Sequence, residues 1–219
     1  LRVLNYIVTS NHIHLLVLDG DKEVIPRSMQ LTAGQTGEEY NRRKARKGAF
    51  WEDRYHATAV ETESHFMRCL AYIDLNLVRA NVVEHPSDWP FGGYDEIQNP
   101  PKRYSLLDRE SLIWACGVED DEQLRRVHRQ VLEEALSNNS RHREPEWTES
   151  IAVGSEPFVQ GIKEKLGLAA KDRKILEISG QFALREPETA YTSDFGAKKA
   201  LLSVENTFKW DLNLDKSGG

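Results

Sequence analysis

"RVLNYIVTSNHIHLLVL", residues 2–18, decides how the fold begins. Residues 2–8 and 13–18 are apolar and rich in β-branched side chains, and the polar "TSN" at 9–11 separates them. The stretch reads as a β-hairpin. On a strand, residues i and i+2 face the same way, which sets His12 and His14 side by side. Two neutral imidazoles held like this can grip one divalent cation. Taken alone, the pair reads more readily as two hydrogen-bonded histidines at a sheet edge. A histidine-triad nucleotide hydrolase would continue the alternation at position 16, where Leu16 stands, and the helical HExxH of zinc proteases is absent.

Outward from the hairpin, "DGDK" at 19–22 is a turn, and residues 24–47 are helical with Gly48 as a stop. "RYHATAV", 54–60, alternates as a strand. Thr62 or Ser64 then caps a helix reaching Arg79, ahead of the Pro/Gly/Trp-rich loop "NVVEHPSDWPFGGY" at 81–94. The order is β-β-α-β-α. After "NPPKRY", 99–104, the pattern turns mainly helical, with stretches at 106–116, 120–137, 155–166 and 195–210 and a polar "KSGG" tail. Ser155, Pro157 and Gly167 supply the cap, first turn and stop of the third of these. These features predict an α+β chain divided near residue 101, with a core over 1–100 and an extension over 101–219.

The bulk composition limits the options. Of 219 residues, 39% are hydrophobic and 29% charged, which is ordinary for a folded domain. No apolar run approaches the roughly 20 residues of a membrane span. Two cysteines, Cys69 and Cys116, are too few for a disulfide framework and suit a reducing, cytoplasmic setting. A net charge of −6 argues against a wholly basic nucleic-acid binder, but averages hide patches.

One such patch is "YNRRKARKGAFWEDRY", 40–55, which gathers Arg42, Arg43, Lys44, Arg46, Lys47 and Arg54 next to Phe50, Trp51 and Tyr55. Cations that track phosphates, beside rings that stack, are what single strands need. The helix after it carries more specific chemistry. In "ESHFMRCLAYIDLNLVRANVV", 63–83, Phe66, Leu70, Ile73 and Leu77 form an apolar stripe, and His65, Arg68, Tyr72, Asn76 and Arg79 lie opposite. Tyr72 and Asn76, at i and i+4, share a face. Asn76 can give its carbonyl oxygen to a hard cation held by the histidines, which makes Tyr72 a candidate nucleophile on a phosphodiester. Attack would leave a phosphotyrosine that conserves the energy of the broken bond for later joining.

"NHIHLLV", "GAFWEDRYHATAVE" and "YIDLNLVRANVVEHPSDWPFGGY" together resemble the REP-associated tyrosine transposases, single-tyrosine members of the HUH nucleases. A looser likeness continues into "IAVGSEPFVQGIKEKLG". The resemblance implies a ferredoxin-like or RRM-like antiparallel sheet. It also implies that His12, His14 and Asn76 hold Mg²⁺ or Mn²⁺ and that Tyr72 attacks single-stranded DNA beside a hairpin, forming a 5′-phosphotyrosine and freeing a 3′-hydroxyl. The family often has proline where Leu77 stands here. Its first strand and helix precede the hairpin, so the chain, beginning at Leu1, reads as N-terminally truncated and its activity as compromised. The expected setting is the prokaryotic cytoplasm near the nucleoid, as monomer or homodimer. Two alternatives stand beside transposition: a non-catalytic DNA-hairpin binder, and a phosphoesterase that uses water.

Overall fold

The hairpin forms as its pattern requires. β1 (Arg2–Val8) and β2 (Ile13–Leu18) pair antiparallel, with Val8 opposite Ile13 and Ile7 opposite His14. The structure, a computed structural model, describes residues 1–20, 23–52, 54–137 and 144–185. The outer edge of β1 is covered by loop backbone. The Val8 N–H donates to the Phe91 carbonyl, Gly93 N–H to Tyr6 and Asp108 N–H to Val3, each at 2.8 Å. This approach depends on glycine, because a Cβ on Gly93 would lie 2.2 Å from Asn5 Oδ1.

α1 (Val24–Arg43) stops four residues earlier than its pattern predicts. Ala45, at φ 48°, takes the left-handed position expected of Gly48, and Arg46 N–H returns to the Asn41 carbonyl. Of the expected strand at 54–60, only β3 (Ala59–Val60) is formed. The long helix is present but divides at Leu75 into α2 (Ser64–Asp74) and α3 (Asn76–Arg79). Neither Thr62 nor Ser64 caps it; Glu63 stands at the N-cap without a side-chain bond. Asn81, at φ 55°, closes α3, with Val82 N–H bonded to Leu77 and Asn81 N–H to Val78. That pair of bonds is a Schellman motif, which a left-handed asparagine accommodates.

Beyond the loop come α4 (Tyr94–Gln98), α5 (Arg109–Cys116), α6 (Asp121–Ser137), α7 (Glu146–Glu149), β4 (Ala152–Gly154), α8 (Glu156–Leu166), β5 (Lys174–Ile178) and β6 (Gln181–Arg185). Ser155 caps α8 as expected, accepting from Phe158 N–H. The chain is α+β, but its strands make two sheets. β3 does not extend the hairpin; it pairs in parallel with β4, in a second sheet ordered β3-β4-β6-β5. The helical reading of the later residues left out β4, β5 and β6. The β5–β6 turn is Ser179–Gly180, both at positive φ, in the two-residue form that suits a twisted hairpin.

α2 is the centre of the core. It packs against β1, β3, α5 and α6, and Leu70 is fully buried with Leu4, Ile97, Leu112 and Leu124 around it. That cluster draws on both sides of residue 101, and residues 1–187 form one compact unit. The division expected at 101 therefore marks a change of sequence character within a shared core. The helix expected at 195–210 and the "KSGG" tail lie outside the described residues. Among the described residues, no helix is long and apolar enough to cross a membrane.

Candidate active site

The turn of the hairpin prepares the first histidine. Thr9 Oγ1 donates to the His12 carbonyl at 2.8 Å and accepts from His12 N–H at 3.1 Å, which fixes the backbone. His12 Nδ1 then donates to Asn11 Oδ1 at 2.8 Å. A neutral imidazole has one N–H, so this bond leaves the Nε2 lone pair free to ligate. His14 stands beside it as the strand period requires, with ring centroids 4.9 Å apart and edge to face. Burial, then the neighbouring His12 and Arg79, push the His14 pKa down to about 4, so its ring is neutral at physiological pH.

The helix brings its part of the site to the same point. His12 Nε2 lies 3.2 Å from Asn76 Oδ1, across 64 residues of sequence. The His14 and Tyr72 rings meet edge to face at 5.9 Å. The structure thus gathers His12, His14, Tyr72 and Asn76. With Asn11 Oδ1 accepting from Nδ1–H, a lone pair on Nε2 faces a carbonyl oxygen, an arrangement that a cation between them would satisfy. The spacing fits as well, since adjacent ligands at about 2.1 Å from an octahedral Mg²⁺ sit roughly 3 Å apart. Among the described residues, no group of three His, Cys, Asp or Glu side chains is placed to hold a metal.

The stripe carrying Tyr72 and Asn76 faces protein. Tyr72 is only 7% exposed. Trp147 of α7 packs 6.3 Å from its ring, and the Trp147 indole N–H donates to Glu144 at 2.8 Å. Thr58 Oγ1 holds this cover by donating to the Ser150 carbonyl, and His56 donates to the same oxygen from Nε2 at 2.9 Å. His56 therefore braces the cover and is not a ligand. Further along the stripe, His65 meets Gln181 of β6 and Arg68 reaches the Ser179 carbonyl. Arg79 lies with its Cζ 4.0 Å from the centre of the Tyr72 ring and donates to the Tyr72 carbonyl at 2.6 Å.

Behind Tyr72 runs a buried polar chain that the sequence pattern did not reveal. Asn5 Nδ2 donates to Asp74 Oδ1 at 2.9 Å, and His128 Nε2 donates to Asp74 Oδ2 at 2.7 Å. Gln98 Nε2 then donates to His128 Nδ1 at 2.8 Å, and Arg129 donates to Gln98 Oε1. Asn5 and His128 are fully buried. The chain fixes the register of α2 against β1 and α6. One signal was legible: His128 stands at i+4 from Leu124 and i−4 from Leu132, in the middle of an apolar stripe. Asn11, Asp74, His128 and Trp147 were not singled out from sequence.

The basic cluster is exposed. Arg42 and Arg43 both pair with Glu39, and Arg46 donates to the Ala49 carbonyl and lies over the Tyr40 ring. Lys44, Lys47 and Arg54 are exposed too. The neighbouring aromatics are partly used in packing: Phe50 stacks between Tyr40 and Trp51, and the Trp51 indole donates to the Ala33 carbonyl. Tyr55 stays exposed. Trp89 donates to the Val8 carbonyl and packs on Phe91, a structural role.

The turn-borne and strand-borne histidines and the helix-borne tyrosine and asparagine all fall inside one matched segment. Residues 1–76 match the IS200-like transposase family. The last residue of the match is Asn76. No curated protein and no solved structure matches the chain. Arg79, His128 and Trp147, which pack around Tyr72 and its helix, all lie beyond the transposase-like segment.

Proposed function

We propose that the chain is a single-strand DNA transposase of the single-tyrosine HUH type, in the REP-associated branch, acting beside DNA hairpins in the prokaryotic cytoplasm. The observation that carries this reading is the meeting of Tyr72 and Asn76 with His12 and His14, which leaves a phenol next to a nitrogen and oxygen donor set. His12, His14 and Asn76 would hold Mg²⁺ or Mn²⁺, which supplies Lewis-acid polarisation of the phosphodiester. Asn11 keeps the His12 lone pair turned inward, and burial keeps His14 neutral for the same purpose.

Tyr72 Oη forms a bond to phosphorus while the P–O3′ bond breaks. The phenolic proton is lost, and the departing 3′ oxygen takes up a proton to become a 3′-hydroxyl. The product is a 5′-phosphotyrosine, from which a second strand's 3′-hydroxyl can be joined by the reverse step. Arg42, Arg43, Lys44, Arg46, Lys47 and Arg54 would track the backbone of the strand.

The test is to incubate the chain with hairpin-bearing single-stranded DNA and Mn²⁺ and resolve it on a denaturing gel. A covalent adduct that disappears in Tyr72→Phe is the expected result. Cleavage that survives Tyr72→Phe would replace the tyrosine with water as nucleophile. The burial of Tyr72 under Trp147 favours a second reading, a hairpin binder that does not cut. Tight binding with no adduct would establish it.

A further inference from the structure

We propose that Arg79 is a catalytic residue of this site, braced on the Tyr72 ring and donating N–H groups to the non-bridging oxygens of the phosphodiester that Tyr72 attacks. The inference rests on the reading of Tyr72 as nucleophile and goes beyond it, because nothing in residues 1–76 contains this arginine.

Three observations carry it. First, the guanidinium is next to the reacting group. Its Cζ is 4.0 Å from the Tyr72 ring centre, and one N–H donates to the Tyr72 carbonyl at 2.6 Å, so ring and cation are held as one unit. Second, Arg79 is partly buried, and among the described residues its charge is not matched by an ion-paired carboxylate. Burial works against its charged form, while Tyr72 and Glu144 support it. Arginines withdrawn from water are ordinarily matched by an anion. Third, its counterpart on the same stripe behaves differently. Arg68 reaches out to the Ser179 carbonyl at the protein surface, whereas Arg79, seven residues on from Tyr72, comes back to it.

The chemistry fits those positions. Attack by the phenol gathers negative charge on the phosphoryl oxygens, and a planar guanidinium presents two parallel donors to two such oxygens. A donor fixed before the reaction stabilises the charge as it develops. Arg79 takes no proton and forms no bond in the step. The phosphorus still passes from the 3′ oxygen to Tyr72 Oη, and the same contacts serve the reverse reaction.

The experiment measures single-turnover adduct formation on hairpin-bearing single-stranded DNA with Mn²⁺, for the unmodified chain, Arg79→Ala and Arg79→Lys. Strand affinity is measured in parallel with each change placed in a Tyr72→Phe background. Loss of the fork is expected to slow adduct formation by ~10²-fold or more in Arg79→Ala, the cost of removing a fixed transition-state donor. Arg79→Lys should recover only part of the rate, because an ammonium lacks the planar fork. Strand affinity should change much less than the rate, and added guanidinium should restore part of the Arg79→Ala rate. That rescue separates catalysis from packing: a slow Arg79→Ala that guanidinium does not restore overturns the proposal, as does one that reacts within threefold of the unmodified chain. Should Arg79→Ala fail to fold, Arg79→Lys decides, and a rate equal to that of arginine overturns the proposal. If the unmodified chain forms adduct, either failure falls on Arg79 alone; if it forms none, the Tyr72 reading fails and this inference fails with it.

Discussion

The basic end of α1 and the α2–α3 stripe are built from similar residues, arginines interleaved with aromatics at helical spacing, yet they hold them in opposite ways. Around α1, Arg42 and Arg43 share one carboxylate in open water, and Arg46 rests on Tyr40. Such pairs contribute little to stability and are screened by salt. On α2 and α3, Tyr72, Asp74 and Arg79 each have a defined partner: the His14 and Trp147 rings, the Asn5 and His128 side chains, and the Tyr72 carbonyl. On the proposed function, the difference would separate two tasks. A surface that only attracts a strand can stay wet and replaceable, while a group that must attack phosphorus needs its position set in advance.

The sharpest way to break this contrast is to remove the support under the buried helix. Asp74→Ala leaves His128 and Asn5 buried without their shared acceptor. It should lower stability by about 2–6 kcal/mol in urea unfolding, about 1–3 kcal/mol for each of the two buried donors left without an acceptor. A loss below 1 kcal/mol would show that the chain of polar groups does not hold α2.

The next effect comes from His14. Folding keeps it neutral down to about pH 4, whereas the unfolded ring takes up its proton near 6.5. Between those values the unfolded state binds more protons, so stability of the metal-free protein should fall as pH drops, by up to about 1.4 kcal/mol per unit. Thermal melts of the unmodified chain and His14→Gln across that window check it, and the variant should show the flatter profile.

Gly93→Ala tests the loop that covers β1. The added carbon would meet Asn5 Oδ1 and disturb the residue that steadies Asp74. Overpacking of this kind should cost about 1–3 kcal/mol, read as a lower denaturant midpoint. A neutral result would mean that the loop moves aside freely.

The smallest effect on stability belongs to the exposed cluster. Arg42→Ala with Arg43→Ala should change unfolding free energy by less than about 0.5 kcal/mol. The same double change should weaken single-strand binding and make its dependence on log salt shallower by roughly 1–1.5. An unchanged salt slope would remove these two arginines from the DNA path.

Much of the fold was legible where its signals are local. The hairpin, the β-β-α-β-α order, the Ser155 cap and the pairing of His12 with His14 follow from strand and helix periods and from turn chemistry, which neighbouring residues fix. Gly48 misled because Ala45 accepted the left-handed turn earlier. Ala152–Gly154 was too short to show a period, while the alternation around Ser179–Gly180 was present in the sequence and went unread. The cover over the polar stripe of α2 was not legible, since a helical period reports which residues share a side, not what comes to lie against it.

Residue types and spacing by themselves determined that a histidine pair, a tyrosine and an asparagine were available, and that the last two shared a helix face. Only the tertiary structure decided that they meet, that Asn11 turns the His12 lone pair toward Asn76, and that Arg79 and Trp147 enclose Tyr72. The physical reason is range. Backbone periods act over a few residues, whereas the packing that joins a turn at residue 12, a helix at 72 and a cover at 147 is settled only when the core closes.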